Sequence, residues 1–348
     1  MEKERLYYPV LMGSALFLFV AVVLSTGMGF ISIPFHDVIA IVVNELWGWF
    51  GFSGSPDPLA RSVVIDIRLP RVLTAAIVGG SLAISGAVFQ GILQNPLADP
   101  YTLGISAGAA FGACLSFLFG GDGFFSVTVS AFLGGLTTLF FVIFLSVSDG
   151  RGGRGGYASN TLILSGIIVS SILSAGISFM KYLADEQVSS IVFWLMGSFA
   201  SKTWGNVAAT LLAALLGGAV FMVAARDLNL IALGDKTAQS LGINPFRVTL
   251  ILLVSASLVT AVAVSVSGII GFIGLLIPHM ARIITGPDNR RLIPLSFFFG
   301  GGLMVLADTV TRAVLPHEIP IGVLTALIGG PVFCLIFKRE HLKRRRQS

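Results

Sequence analysis

Long apolar stretches separated by short polar connections run through most of this chain. Most of them approach the roughly 20 residues that an α-helix needs to cross the hydrocarbon core of a bilayer. Ten can be marked: residues 10–33, 72–92, 102–119, 124–147, 161–180, 207–225, 248–266, 269–284, 292–314 and 321–337. The pattern predicts an all-α, polytopic membrane protein with about ten transmembrane helices, in which residues 1–348 form one domain.

The composition agrees with this prediction. Hydrophobic residues make up 55% of the 348 residues, charged residues only 11%, and the mean hydropathy is +0.92. A soluble domain of this length carries charge on about a quarter of its residues. The 41 glycines suit the close approach of helices in lipid.

One polar segment interrupts the apolar pattern, at residues 226–242. With helical spacing, one of its faces carries Leu230, Leu233, Thr237 and Leu241, with Ala238 beside them. The remaining positions are polar: Asp235, Lys236, Gln239 and Ser240. This periodicity predicts a short amphipathic helix whose polar face is left for water or for a partner.

The distribution of basic residues predicts the orientation. Ten spans place both termini on one side, and that side holds 16 of the 22 Lys and Arg residues. Since the side with the excess is normally cytoplasmic, the termini and residues 226–242 are expected in the cytoplasm. We therefore expect a multi-pass protein of a bacterial or archaeal cytoplasmic membrane. Because the basic tail carries no interleaved aromatic residues, it favours contact with anionic lipid and excludes nucleic acid as a partner.

The motifs of nucleotide and metal chemistry are missing from the sequence. No lysine follows a glycine, so the chain has no G-x-x-x-x-G-K-[ST] phosphate loop and is expected not to hydrolyse ATP itself. Four histidines are scattered along the chain: His36, His279, His317 and His341. Cys114 and Cys334 both lie in apolar stretches. The sequence thus predicts no metal site and no cofactor on this chain.

Charges within the predicted spans are also rare. The main exception is Asp308, one helical turn before Arg312 and close to the outer end of its span, which favours a structural ion pair. An ion-coupled secondary transporter acting without an ATPase is the main alternative, and it would keep an ionisable pair near the midplane. A second alternative, an intramembrane enzyme, would gather catalytic residues at one depth. The polar segment instead favours energy supplied by a separate ATPase subunit.

Several ordered motifs resemble one family of transporters. In the first half they are R-L-P-R at residues 68–71, G-A-V-F-Q at 86–90, N-P-L-A-D-P at 95–100 and L-G at 103–104. In the second half they are L-G at 233–234 with Ala238 and L-G at 241–242, G-I-I-G-F-I-G-L-L-I-P-H-M-A-R at 268–282, L-A-D at 306–308 and P-I-G-V at 320–323. From about residue 61 to residue 338 the chain resembles FecCD-type permeases of ABC importers for iron-siderophores, haem and vitamin B12, most of all the vitamin B12 branch.

The resemblance implies a type II ABC importer permease fold and a set of partners. The permease forms a homodimer with one path at its axis, two ATPase subunits carrying ATP and Mg dock on the cytoplasmic side, and an extracytoplasmic binding protein delivers the ligand. Cobalamin, ferric siderophore and haem remain open as ligands. The outer segment at residues 181–204 resembles a short helix that closes the path toward the outside, although interfacial aromatics are also ordinary belt residues.

The resemblance also implies roles for particular residues. The coupling segment, residues 226–244, would contact the ATPase through Asp235, Lys236, Ala238, Gln239, Ser240, Leu241 and Gly242. The binding protein would place acidic residues on Arg68, Arg71 and Arg312, for which headgroup anchoring or the local Asp308–Arg312 pair is the alternative. The cytoplasmic gate would be formed by Asn95, Leu97, Ser159 and Asn160. A helix lying on lipid is the alternative for the coupling segment.

Overall fold

The structure, a computed structural model, describes residues 2–29, 33–46, 57–119, 124–146, 159–314 and 318–347. Its helices are α1 (Glu2–Gly27), α2 (Phe35–Leu46), α3 (Pro58–Ser62), α4 (Leu69–Ile92), α5 (Ile105–Leu118), α6 (Phe124–Ser146), α7 (Ser159–Leu183), α8 (Val188–Leu195), α9 (Trp204–Ile231), α10 (Asp235–Ser240), α11 (Pro245–Ser267), α12 (Ile273–Thr285), α13 (Asn289–Thr309) and α14 (Ile321–Gln347). Two π-helical turns, Val63–Arg68 and Val310–Val314, and two 3-10 turns, Pro100–Leu103 and Asp185–Gln187, complete the described elements.

Each of the ten predicted apolar stretches coincides with a helix. Among the described residues, seven helical runs are long and apolar enough to cross a bilayer, and three shorter apolar helices accompany them: Ile105–Leu118, Ile273–Thr285 and Ile321–Ile336. The prediction of an all-α polytopic membrane protein is confirmed. The short helix predicted within residues 181–204 is α8.

The contacts between α1 and α13 define the two ends of the bundle. The guanidinium of Arg291 lies over the ring of Tyr7, 5.7 Å from its centroid, while the hydroxyls of Ser25 and Thr309 lie 2.7 Å apart. These two helices therefore run parallel. We call the end with Tyr7 and Arg291 the near end, and the end with Ser25 and Thr309 the far end.

Helix α4 lies at the centre of the fold. It continues a helical run from Pro58 to Ile92 in which 94% of the most apolar 18-residue window is buried. Glycines allow this burial: a Cβ on Gly86 would overlap the carbonyl oxygen of Gly274 in α12, and one on Gly79 would overlap Met304 in α13. A helix that is apolar all round is the kind that a protein interior can cover on every side.

The start of this helical run corrects one detail of the sequence analysis. The apolar pattern placed the beginning of the span at residue 72, which left Arg68 and Arg71 in a connection. In the structure both arginines are helical, at the end of the π-helical turn and in the first turn of α4. The helix extends past the apolar stretch because both guanidinium groups have acceptors inside the protein.

Candidate functional site

Two arginines and one aspartate form a buried ion cluster at the far end. Arg71 contacts both carboxylate oxygens of Asp308, at 2.8 and 3.1 Å, and Arg312 donates to the same carboxylate at 3.1 Å. The side chain of Asp308 is 1% exposed, against 13% for Arg71 and 8% for Arg312. The predicted pair of Asp308 and Arg312 is therefore present, but Arg71 joins it from α4, 237 residues away in sequence.

Arg68 and Arg312 also bind the C-terminal end of α1. Arg68 donates to the carbonyl oxygens of Thr26 and Gly27, at 3.2 and 3.0 Å, and Arg312 donates to that of Ser25 at 2.6 Å. The last carbonyls of a helix have no partner within the helix, so cations there satisfy them and interact well with its dipole. These two arginines therefore already carry a structural role.

Two further charged residues, which the sequence analysis did not single out, border the cluster. Glu318 accepts a hydrogen bond from Arg71 at 2.5 Å while its own side chain stays 46% exposed. Lys202 is buried, and its burial together with the charge of Arg71 lowers its pKa to about 8. A cavity of about 220 Å³ opens beside Arg71, Asp308 and Glu318. The cluster and the charged residues around it thus comprise four cations and two carboxylates.

This geometry leaves the three predicted docking arginines unequal. The guanidinium of Arg71 lines the cavity next to an exposed carboxylate, whereas Arg68 is 7% exposed and is bonded to the end of α1. Docking of a partner's acidic residues on Arg68, Arg71 and Arg312 stays a prediction. Among the described contacts of these arginines, Arg71 has a half-exposed partner, Glu318.

At the near end, the predicted coupling segment forms a break and a short helix. Helix α9 ends at Ile231, Gly234 adopts a φ of +104° that favours glycine, and α10 follows at once. Six of the seven predicted ATPase contacts are exposed: Asp235, Lys236, Gln239, Ser240, Leu241 and Gly242. Ala238 is fully buried, and an open depression of about 540 Å³ lies beside Gln239 and Gly242.

The expected apolar face of this segment is wrong in one respect. Leu233 is 66% exposed and Leu241 is 59% exposed, so they do not share a buried face with Ala238. The reason is the break at Gly234, which ends the α9 periodicity and starts α10 in a new direction. In this chain the segment presents two leucines to its surroundings together with its polar residues.

The turn between α12 and α13 anchors α9 just before this segment. Asn229 donates to the carboxylate of Asp288 at 2.7 Å and accepts from the backbone and side-chain nitrogens of Asn289, at 2.9 and 2.8 Å. These bonds hold α9 at Asn229, two residues before its last residue, Ile231. The direction in which the chain enters α10 is therefore set by the protein itself.

The residues predicted to form a cytoplasmic gate lie at two places near the near end. Asn95 and Leu97 follow α4, where the side chain of Asn95 accepts from the backbone nitrogen of Leu97 at 2.9 Å. Leu97 is 45% exposed. Ser159 and Asn160 begin α7, and the preceding residues 148–157, which carry the glycine-rich connection, lie outside the described part of the chain. The gate stays a prediction.

Two glutamines that the sequence analysis gave no role sit beside Asn95. Gln90 donates to the carbonyl of Leu275 at 3.1 Å and accepts from Arg282 at 2.9 Å, which ties α4 to α12. Gln94 donates to the carbonyl of Ile231 at 2.9 Å. A signal for the first contact was available, since Gln90 and Arg282 are polar residues inside the apolar motifs at 86–90 and 268–282.

The histidines do not form a site among the described residues. His36 is exposed at the start of α2, and His279 is buried in α12. Within residues 2–29, 33–46, 57–119, 124–146, 159–314 and 318–347, no group of three or more His, Cys, Asp or Glu side chains could hold a metal ion. His317 lies outside this part of the chain.

The far-end cluster leads to a prediction on stability. Replacing Asp308 by asparagine removes the buried carboxylate that Arg71 and Arg312 share and leaves Arg71 with half-exposed Glu318, which should lower the free energy of unfolding by about 3 kcal/mol or more. The matched change Glu318→Gln removes a half-exposed carboxylate from the same arginine and should cost less than about 1 kcal/mol. Thermal unfolding of the purified protein in lipid nanodiscs compares the two. Equal melting temperatures for both variants would contradict the structural role of Asp308.

The chain matches the model of the FecCD transport family over residues 17–339. It is 41% identical to an uncharacterized ABC transporter permease protein of Bacillus subtilis, covering 93% of this chain and 92% of that protein. It is 40% identical to the cobalamin import system permease protein of Halobacterium salinarum, covering 82% and 75%. It is 38% identical to the molybdate import system permease protein of Haemophilus influenzae, covering 95% and 96%.

A solved structure agrees with the sequence comparisons. It is an inward-facing ABC transporter of proposed metal-chelate type, which matches 95% of this chain and 100% of its own with a TM-score of 0.81 and 36% identity. The family match covers far more than half of the chain, and the fold and the order of the motifs agree with it. This chain belongs to the FecCD transport family.

Proposed function

We propose that this chain is the membrane-spanning subunit of an ATP-binding-cassette importer for a metal chelate. The observation that carries the proposal is α10, a short exposed helix between two apolar helices of a FecCD-family chain. A membrane subunit that takes energy from a separate ATPase needs such a surface. Hydrolysis of ATP, with its Mg, belongs to the partner subunit, so the chain itself is not an enzyme.

The orientation and partners follow from the two ends of the bundle. The near end faces the cytoplasm, which agrees with 16 of the 22 basic residues on the side of both termini. Two ATPase subunits bind there, one on each copy of a permease homodimer, and each receives α10 in a groove. The far end faces outward and receives the substrate-binding protein.

At the near end, the ATPase contacts the exposed residues of α10 and the leucines beside it. Leu233 and Leu241 supply apolar area, while Asp235, Lys236, Gln239 and Ser240 supply polar contacts. Buried Ala238 and Gly242, whose φ is +83°, keep the segment compact enough to fit closely against a partner. Because the Asn229 anchor fixes α9, movement of the ATPase groove reaches the bundle as a displacement of α10.

At the far end, an acidic residue of the binding protein takes the place of Glu318 on Arg71. Glu318 is half exposed and, among the described residues, pairs with Arg71, so the exchange replaces one carboxylate by another without uncovering Asp308. A guanidinium suits this exchange since its five N–H donors allow Arg71 to bind Asp308 and a second carboxylate at the same time. Arg68 and Arg312 contribute mainly by their charge.

The exchange leads to a prediction on docking. The variant Glu318→Gln removes the competing charge, so the binding protein should associate about threefold more tightly at low salt, as expected for interface charges. The control is Arg61→Gln, which changes an exposed arginine paired with Glu45 at the same end. Surface plasmon resonance on nanodisc-embedded complexes measures both. Weaker docking of the Glu318→Gln variant would contradict the exchange.

The ligand is tested by transport. Relatives at nearly the same identity carry names for cobalamin and for molybdate import, so identity alone does not fix the ligand. Proteoliposomes containing this chain, its ATPase and its binding protein are supplied in turn with cobalamin, a ferric siderophore, haem and molybdate. We expect uptake of one metal chelate that requires enclosed ATP and the binding protein.

Two controls complete the transport experiment. Lys236→Glu in α10 should reduce uptake at least about tenfold, consistent with loss of a buried interface charge, whereas Lys338→Glu, an exposed lysine of α14, should not. Uptake without ATP by this chain alone would contradict the proposal and favour the secondary transporter. Uptake of molybdate alone would contradict the metal-chelate assignment but leave the ATP-driven mechanism standing.

A further inference from the structure

The residue that ends α4 has an unusual backbone. Gln94 has a φ of +49°, in the left-handed region that is common for glycine and uncommon for most L-residues. The hydrogen bonds from Gln94 nitrogen to Gly91 oxygen, 3.3 Å, and from Asn95 nitrogen to Gln90 oxygen, 3.2 Å, are those of a Schellman cap, where glycine is the usual residue. A glutamine there bears a backbone cost that a glycine would avoid. Such an outlier suggests a role for the side chain.

The side chain of Gln94 contacts the peptide from which α10 starts. Its amide nitrogen donates to the carbonyl oxygen of Ile231 at 2.9 Å. The same oxygen accepts the backbone nitrogen of Gly234 at 2.9 Å, in the tight turn that leads into α10. One carbonyl is thus shared between the turn before α10 and the end of α4.

In the chain, Gln94 directly precedes the predicted gate. Asn95 follows it directly, and the side chain of Asn95 orders the turn to Leu97. One turn earlier, Gln90 fixes α4 to α12. Because α4 is held in place there, a movement of the turn before α10 acts on the short chain from Gln94 to Leu97.

The other contacts between the ends of α4 and α9 lack this directionality. Leu228 of α9 packs over Gly91, where an added Cβ would lie 2.9 Å from its side chain. An apolar contact of this kind permits sliding, whereas a hydrogen bond fixes both distance and angle. The Gln94 amide is therefore the contact suited to transmit a small displacement.

We propose that Gln94 is a positioning residue that couples the position of α10 to the gate residues Asn95 and Leu97. The inference rests on the proposed function, in which α10 receives the motion of the ATPase. When α10 moves with the ATPase groove, the hydrogen bond to Ile231 draws the turn after α4 with it. The left-handed conformation places the glutamine amide toward α9 and is retained for that reason.

The experiment measures how accessible the gate is, and it does not measure uptake of the ligand. Leu97→Cys is introduced together with Cys114→Ala and Cys334→Ala, and the chain is assembled with its ATPase in nanodiscs. The rate at which a hydrophilic maleimide labels position 97 is measured without nucleotide and with ATP plus vanadate. Gln94→Met keeps the side-chain length and the strained backbone but removes the donor, and Gln94→Gly removes both donor and strain. Ser201→Gly is the control, since Ser201 has a φ of +55° in a far-end connection.

We expect the labelling rate to depend on nucleotide in the parent chain and in Ser201→Gly. In both Gln94 variants this dependence should shrink about fivefold, the factor that corresponds to one hydrogen bond. Binding of the ATPase should stay unchanged, and Gln94→Gly should melt at a higher temperature than Gln94→Met because its backbone is relaxed. A structural role alone would change melting but not the nucleotide dependence.

Several outcomes would overturn the inference. A full nucleotide response in either Gln94 variant would show that the hydrogen bond does not transmit the motion. Loss of ATPase binding in these variants would place Gln94 in docking instead. If the labelling rate of the parent chain does not depend on nucleotide although the ATPase is bound, the assignment of the gate itself is wrong. The inference rests on that assignment.

Discussion

The structure depends on the requirement that polar groups inside a bilayer find partners within the protein. Helix α4 is buried along most of its length, so the arginine and glutamine side chains at its two ends need partners on neighbouring helices. Arg68 and Arg71 meet this requirement at the far end by binding the end of α1 and Asp308. Gln90 and Gln94 meet it at the near end by binding α12 and α9. One helix is thereby attached to both functional ends of the molecule.

This arrangement explains why the ion cluster sits where it does. A buried ion pair gains little net stability, because removing two charges from water costs about as much as their attraction returns. The cluster links three helices, because Asp308 of α13 receives Arg71 of α4, and Arg312 also binds the end of α1. The far end is therefore held in a defined geometry, while half-exposed Glu318 leaves one position of the cluster open to exchange.

The sequence was sufficient for much of this fold. Ten apolar stretches of suitable length correspond to ten helices, because the hydrophobic period and span length are local properties. The short α10 was also predictable, since its polar residues lie together. The start of the helical run that contains Arg68 and Arg71 was not predictable. A charged residue normally ends an apolar stretch, and it is buried only where a partner elsewhere in the chain compensates its charge. For Arg71 that partner is Asp308, which is distant in sequence.

The near-end features that the sequence did not predict likewise depend on the three-dimensional structure and not on the local pattern of residues. Exposure of Leu233 and Leu241 follows from the break at Gly234, whose φ no periodicity reveals. The contact of Gln94 with Ile231 joins positions 137 residues apart. A glutamine in a left-handed cap cannot be recognised from its neighbours alone, since glutamine normally continues a helix. Contacts between distant elements therefore required the structure.

The account's central claim is that one membrane subunit connects docking at its far end with ATP hydrolysis at its near end. The most direct measurement is the ATPase rate of the assembled complex in nanodiscs, with and without its ligand-loaded binding protein. We expect a rate that changes when the binding protein docks at the far end. An ATPase rate that is the same with saturating binding protein, docking being confirmed in the same sample, would contradict it.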